Sequence, residues 1–392
     1  MNYKRLGDYI IEKVEFNEGN KYDLLQGVSN NKYFQKAKTN TIGVDLSKYR
    51  VAHHNQFVFN RATTRNGDKI SIALRKGESC IVSPSYRIFE VNDENVLNPD
   101  YLSMWFKRPE FDRYARFKSH GSAHEFFDMD EMNDVELPIP SIEKQRELVA
   151  QYQAVENKIK VNEQICEKLE ATAQTLYKQW FVDFEFPNEE GQPYKSSGGS
   201  MVFNEELEKE IPEGWEVKSL GEVSTCLDFK RRPLSQEERA QKPGKYPYYG
   251  AMSIVGYIDE YIYDGDYLLF SEDGANVVDE NGFPAIQYVW GKFWLNNHSH
   301  ILVGKDYISI QFLYNSLLKT NVSDLVTGAA QPKINQQNMN SISILIGNES
   351  IHQKFNLSII ENYELTKIYQ EQNQKLTQFQ SLLLSRLATL EG

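Results

Sequence analysis

Apolar residues follow two different rhythms along this 392-residue chain. Over residues 141–184 (SIEKQRELVAQYQAVENKIKVNEQICEKLEATAQTLYKQWFVDF) they recur three and four apart, at Tyr152, Val155, Ile159, Cys166, Leu169, Ala173, Leu176 and Trp180. That spacing lines one stripe of an α-helix. The stretch holds neither Gly nor Pro and is rich in helix formers, and Pro138 and Pro140 stand just before it, where a helix start tolerates them. Asn162 interrupts the stripe with a polar group of the kind that fixes register between paired helices. Residues 349–390 repeat the spacing at Ile359, Tyr363, Thr366, Tyr369, Asn373, Leu376, Gln380, Leu383, Leu387 and Leu390, with a more polar middle. Two helices of this length would each run roughly 60 Å. Neither carries the charge pattern of a free dimer, so the simplest arrangement pairs them with each other.

The second rhythm is shorter. Residues 1–140 and 215–347 are built of brief apolar runs rich in aromatic and β-branched residues, such as 56–60 (QFVFN) and 261–271 (YIYDGDYLLFS), punctuated by Gly, Asn and Asp. Each predicts a mixed α/β globule around a twisted, mostly antiparallel sheet. Pro, Gly and Ser cluster between the first helix and the second globule, in PNEEGQPYKSSGGSMVFNEE, which reads as a linker. The expected order is a globule (1–140), a long helix (141–186), a linker (187–214), a second globule (215–347) and a second long helix (348–392).

The two halves also match residue by residue. Residues 121–140 (GSAHEFFDMDEMNDVELPIP) align without gaps on 328–347 (GAAQPKINQQNMNSISILIG). Gly121, Ala123, Met132, Asn133 and Ile139 are identical to Gly328, Ala330, Met339, Asn340 and Ile346, and Phe127, Val135 and Leu137 keep apolar character opposite Ile334, Ile342 and Ile344. In both copies a long heptad helix follows directly. The starts match more weakly, Leu6-Gly7-Asp8 against Leu220-Gly221-Glu222. The chain therefore reads as a duplicated unit of globule plus helix. Two such units with antiparallel helices suit a bipartite target, and since the copies differ in sequence, the half-sites should differ too.

Composition narrows this reading without deciding it. Net charge is −12, which disfavours a nucleic-acid binder, because phosphate contacts dominate affinity. The excess is uneven: residues 1–140 are net 0, 141–215 net −7, 216–347 net −4 and 348–392 net −1. Most of it lies in a helix and linker that need not touch nucleic acid. No run approaches the ~18 apolar residues of a membrane span, and the N-terminus lacks a signal-peptide pattern. Cys80, Cys166 and Cys226 are scattered and odd in number, arguing against a disulfide framework or cysteine metal cluster. A cytoplasmic setting is expected.

Catalytic signatures are missing from the sequence. Gly291-Lys292 and Gly304-Lys305 lack the spacing and hydroxyl of a phosphate-binding loop, and no Asn/Asp-Pro-Pro-aromatic run of an adenine methyltransferase occurs. His53-His54 are adjacent, and His298 and His300 form a bare His-x-His without evident partner ligands. Asp264, Asp266, Glu272 and Asp273 lie close in sequence but lack the Glu-x-Lys of a nuclease strand, and read as turn residues.

Several segments resemble the DNA specificity subunits of type I restriction–modification systems. Residues 211–217 (IPEGWEV) are similar to the run that opens a target-recognition domain in that family, and 137–148 (LPIPSIEKQREL) to the junction of such a domain with its helix. Residues 177–184 (YKQWFVDF), followed by Gly198, Gly199 and Met201, resemble the end of the family's central conserved region, and 328–335 (GAAQPKIN) the turn closing a recognition domain. The likeness covers essentially the whole chain, in order and twice. It departs at 121–125 (GSAHE), which lacks the Gln331-Pro332-Lys333 run, and at 349–353 (ESIHQ), a weak version of Glu143-Lys144-Gln145.

The resemblance implies an α+β fold: two mixed α/β target-recognition domains separated by a pair of long antiparallel coiled-coil helices, in pseudo-two-fold duplication. It implies a non-catalytic chain that reads a bipartite, asymmetric double-stranded DNA target in the bacterial cytoplasm and joins two methyltransferase subunits and motor–nuclease restriction subunits. S-adenosylmethionine, ATP and Mg2+ would be used by those partners, none being bound by this chain. Candidate DNA contacts are Arg61, Thr64, Arg65, Asn66 and Lys69 in one loop, Arg116, Lys118 and His120 in a second basic stretch, and Lys230, Arg231, Arg232, Asn276, Gln331 and Lys333 in the second globule. Arg and Asn side chains can read guanine and adenine edges, while the other groups serve phosphates. Trp180, Phe181 and Phe184 are candidates for a subunit interface, or else for core packing. Two rival readings remain open at this point, a stand-alone DNA-binding nuclease and a coiled-coil adaptor that binds no DNA.

Overall fold

The computed structural model describes residues 3–37, 43–62, 69–119, 125–274, 277–328 and 331–389. The chain divides into two compact units, one of Met1–Asn162 with Glu371–Gly392 and one of Glu163–Gln370. Each holds a sheet-based globule and a stretch of both long helices.

In the first unit a four-stranded antiparallel sheet runs in the order Ile10–Lys13, Tyr86–Val91, Phe57–Asn60, Ile72–Leu74. Its inner face carries Phe57, Phe59 and Phe89, which meet Tyr101, Phe106, Phe111 and Phe127 in one aromatic core. Phe57 stacks on Phe89 with ring centroids 5.0 Å apart. Two helices cover this face, Pro99–Phe106 and Pro109–Lys118. The first starts where Asn98 accepts hydrogen bonds from the amides of Asp100 and Tyr101, with Pro99 placed where its missing N–H costs nothing.

In the second unit six strands lie in the order Ser224–Cys226, Ser299–Gly304, Tyr263–Ser271, Ile286–Leu295, Pro243–Tyr249, Ile254–Ile258. All neighbours are antiparallel except Pro243–Tyr249 beside Ile286–Leu295. The expected sheet is thus present with one parallel pairing. The helix Ile310–Leu317 packs Phe312, Leu313 and Leu317 into the core under it.

Both units are closed by the same clasp. In the first, Tyr3–Arg5 pairs antiparallel with Glu136–Pro138, and in the second Glu216–Ser219 pairs with Ser343–Ile346. The Leu6 amide donates to the Val135 carbonyl at 2.7 Å, and the Leu220 amide to the Ile342 carbonyl at 2.7 Å. The short helices before the clasp, Met129–Asn133 and Gln336–Asn340, occupy identical places in the aligned repeat. The weak Leu-Gly match at the two starts has a steric cause. A Cβ at Gly7 would lie 2.9 Å from Asn133 Cβ, and one at Gly221 3.0 Å from Asn340 Cβ.

The long helices are Ile142–Tyr177 and Glu349–Arg386. In the first unit Leu148, Val149 and Tyr152 share a core with Leu387, and Asn162 lies against Asn373 at 2.8 Å. In the second, Cys166 Sγ sits 3.9 Å from the Thr366 carbonyl, and the Asn362 amide donates to the Leu169 carbonyl. Rising numbers on one helix meet falling numbers on the other, so within each unit the helices are antiparallel and use the seam that the heptads predict. The first helix ends in a π-helical turn, Lys178–Val182, and Phe184 follows with φ of 64°.

The breaker-rich stretch is more ordered than its composition implies. Met201–Asn204 and Lys209–Pro212 form a hairpin, and Phe186 stacks on both Tyr194 and Trp215. Scattered Gly and Pro here shape tight turns over an aromatic cluster rather than a free tether.

Candidate nucleic-acid interface

In the first unit the candidate loop springs from the sheet strand Phe57–Asn60. Arg61 follows; its carbonyl accepts from the Phe127 amide, and its guanidinium lies over the Phe126 ring, 3.3 Å from an Asp128 oxygen. Asp128 also takes two hydrogen bonds from Arg87 and caps the helix Met129–Asn133. Burial pushes its carboxyl up, but the Arg87 hydrogen bonds and the Met129 amide outweigh that and hold it down at about 2. Arg61 is therefore half committed to its own domain and keeps an exposed edge. Thr64, Arg65 and Asn66 lie outside the described residues. Lys69 is exposed where the chain re-enters the core at Ile70, whose amide donates to Asp112.

The second basic stretch ends the helix Pro109–Lys118. Arg116 pairs with Glu125, and the Lys118 ammonium lies 6.0 Å from the Tyr114 ring centre. His120 lies outside the described residues.

In the second unit the run Asp228-Phe229-Lys230-Arg231-Arg232 splits by side. Asp228–Lys230 form a single 3-10 turn. Lys230 and Arg232 are exposed, whereas Arg231 turns inward. Its guanidinium bonds Asp228 at 2.9 Å, Glu272 at 2.8 Å and the Ser299 carbonyl at 2.8 Å. Arg231 was expected among the DNA contacts; its guanidinium is instead turned into the domain, where it ties the turn to Glu272 and the Ser299 carbonyl. Lys333 is half exposed and pairs with Glu272 at 2.9 Å, while Gln331 is exposed beside it. Gly328, at φ of 86°, opens this closing loop, and a Cβ there would meet the Gln331 carbonyl at 2.4 Å. Asn276 lies outside the described residues.

The buried core of this site escaped the sequence. Strand register sets Cys226 opposite Leu302, bringing His300 beside Asp228 from 72 positions away. His300 is buried with Nδ1 2.5 Å from Asp228 and Nε2 3.0 Å from the Ile334 carbonyl. Cys226, Asp228 and His300 place potential ligand atoms within 4.8 Å of one another. Those atoms already face partners: Asp228 holds both His300 and Arg231, and burial pushes the Cys226 thiol up to about 12, away from the thiolate a metal needs. His298 turns instead to Asp273. The acidic residues expected in turns are mostly elsewhere. Asp264 and Asp266 lie within a strand, where Asp266 binds Lys367 and Tyr288, and Glu272 joins the Arg231 cluster. They do not converge on one centre.

The subunit-interface reading of Trp180, Phe181 and Phe184 is corrected by their burial. The π-helical turn swings Trp180 and Phe181 onto Phe355, and Phe181 and Phe184 also meet Trp215. All three belong to the interior of the second unit. An aromatic run closing a helix carries no sequence signal that separates an inner face from an outer one.

These features define a duplicated architecture, in which each sheet globule is shut by a strand clasp and followed by a long helix. Comparison with known proteins agrees. The family model for the type I restriction modification DNA specificity domain matches residues 3–171 and again 212–378. The specificity subunit of the type I restriction enzyme MjaIX from Methanocaldococcus jannaschii is 30% identical over 314 residues, 74% of this chain and 68% of that protein. A specificity subunit of Haemophilus influenzae is 33% identical over 148 residues, a match spanning only 37% of either protein. The crystal structure of the type I system S subunit from M. genitalium superposes with a TM-score of 0.57, at 16% identity, covering 99% of this chain and 96% of that one. The chain belongs to the type I restriction–modification DNA specificity family. Among the described residues no helix is long and apolar enough to cross a membrane.

Proposed function

We propose that this chain reads a bipartite, asymmetric double-stranded DNA target, one half-site per unit, and is itself non-catalytic. The observation that carries the reading is the twofold match to a DNA specificity domain, laid over two clasped globules whose exposed basic groups differ between copies. Arg61, Lys69, Arg116 and Lys118 serve one half-site, with the loop residues Thr64, Arg65, Asn66 and His120. Lys230, Arg232, Gln331 and Lys333 serve the other, with Asn276. Its partners are two methyltransferase subunits, which use S-adenosylmethionine, and restriction subunits, which use ATP and Mg2+; this chain binds none of these cofactors. The setting is the bacterial cytoplasm.

The test is a swap of residues 1–140 for the corresponding domain of another specificity subunit, followed by methylome sequencing of a host carrying the system. One half-site changes and the other stays. A change in both halves together defeats the modular reading, and metal-dependent cleavage of DNA by the purified chain alone overturns the non-catalytic one.

A further inference from the structure

Phe229 stands out beside the clamped turn described above. The residue is 78% exposed, and among the aromatic residues described only Phe117 is more so. Isolated surface apolar groups are ordinary and need no explanation. Here the presentation is what differs. Asp228 and Arg231, on either side of the exposed pair Phe229-Lys230, have only 11% and 15% of their side chains exposed and bond each other. Asp228 takes the Ile301 amide at 3.0 Å and His300 at 2.5 Å, while Arg231 holds Glu272 and the Ser299 carbonyl. On the far side, Trp294 Nε1 donates to the Arg232 carbonyl. A buried charge cluster is expensive to assemble and weak evidence for stability. Its structural effect here is to anchor a three-residue turn to the neighbouring strands, with its aromatic ring turned to solvent.

The neighbours of the ring name the occupant. Lys230 Nζ lies 5.7 Å from the ring centre, and Arg232 is exposed two residues further on. An apolar ring on an anchored turn, with exposed cations beside it, matches a duplex, which presents phosphates along a stacked apolar interior. Proteins that deform DNA insert such side chains between base steps and hold the flanking phosphates with Lys and Arg.

We infer that Phe229 is a DNA wedge: it inserts between base pairs at the half-site read by the second unit and bends the duplex there, held out by the Asp228–Arg231 clamp and flanked by phosphate contacts from Lys230 and Arg232. This rests on the proposed DNA reading and adds to it a shape-dependent element of specificity, since flexible steps unstack at lower cost than stiff ones.

The experiment uses the full chain co-expressed with the methyltransferase subunit of its own system, and a duplex selected by the wild-type complex from a random library. Phe229→Ala weakens binding roughly tenfold, as expected for loss of an aromatic stacked on bases. It also lengthens the end-to-end distance of a doubly labelled duplex and leaves the salt dependence of binding unchanged. Phe229→Leu, which keeps an apolar wedge, restores most of the bend. Lys230→Ala lowers the salt slope by about one and keeps the bend. Melting of each variant at the wild-type temperature shows that the clamp is intact. If the wild-type complex selects a sequence, and a folded Phe229→Ala variant binds it within about twofold and bends it equally, the wedge is overturned and the DNA reading stands. If the wild-type complex selects no sequence, both fall.

Discussion

His352 occupies, in the second copy, the place that Gln145 holds in the first, and the difference gives the second unit a pH dependence that can be worked out. Gln145 is fully buried; its carbonyl accepts from the Asn98 amide and its NH2 donates to the Val96 and Pro140 carbonyls. His352 is as deeply placed, but only Nε2 has a partner, the Gly347 amide at 3.2 Å, and Nδ1 has none. Its ring packs against Phe312 with centroids 4.4 Å apart, and against Phe181 and Tyr307. Burial among these rings pushes the imidazole down from 6.5 to about 4. The unfolded chain therefore takes up a proton that the folded chain refuses, and stability falls as pH drops from 6.5 towards 4. The full loss below both values is about 3 kcal/mol, and at pH 5 about 2 kcal/mol has gone.

The assay is urea unfolding at pH 7 and pH 5, followed by tryptophan fluorescence. Four of the five tryptophans, Trp180, Trp215, Trp290 and Trp294, lie in the second unit, and Trp180 and Trp215 share its core, so the signal reports largely on it. His352→Gln carries some constant cost at pH 7, but its loss between pH 7 and pH 5 is smaller than that of the wild type by about 2 kcal/mol. Equal losses in both proteins would refute the reasoning, since carboxylate titrations common to the two cancel in the comparison.

Three further outcomes follow from buried polar groups. Asp112→Ala leaves the Lys32 ammonium, which is buried 2.7 Å from Asp112, without its counter-charge and costs about 3–5 kcal/mol in urea unfolding; Lys32→Met with Asp112→Leu recovers only part of it, because the Ile70 amide still lacks its acceptor. Asp128, a third exposed, stabilises the first unit above its unfolded value of 3.8 and loses that contribution as pH falls towards 2. Discounted for solvent it is worth about 1–2 kcal/mol, and Asp128→Asn flattens acid unfolding over that range. Asn162→Leu leaves the Asn373 Oδ1 without its donor in the seam and lowers thermal stability by about 1 kcal/mol, whereas the same change at both positions raises it above wild type.

The sequence carried the helices and the duplication because both rest on local signals. A three-four spacing survives whatever the helix packs against, and the Gly121/Gly328 alignment runs through short helices and clasp strands that are contiguous in the chain. What it hid depends on register between distant strands. Nothing near Asp228 announces His300, and only the pairing of Cys226 with Leu302 brings them together. Lys230, Arg231 and Arg232 read alike as a basic cluster, yet Arg231 is turned inward and the other two are exposed, because the chain leaves the 3-10 turn in extended form at Arg231, and successive side chains of extended backbone point to opposite sides. Trp180, Phe181 and Phe184 offered two readings, and a single π-helical turn chose the interior.

The two copies separate what closes a unit from what it presents. The clasp, the Gly–Asn contact and the helix-start residue at 145 or 352 occupy the same places in both. The exposed basic groups do not: Phe117 stands between Arg116 and Lys118 at a helix end, while Phe229 stands on a clamped turn at an unrelated point of the repeat. If each exposed ring marks where its unit meets DNA, the two half-sites are approached by different elements, a helix terminus in one and an anchored turn in the other. The anchoring then differs as well, because among the described residues Arg116 pairs with Glu125 at the surface, whereas Arg231 sits in a buried network. Bending of the duplex should accordingly concentrate at the half-site of the second unit, so that replacing residues 1–140 alters one half of the sequence read and leaves the position of the bend where it was.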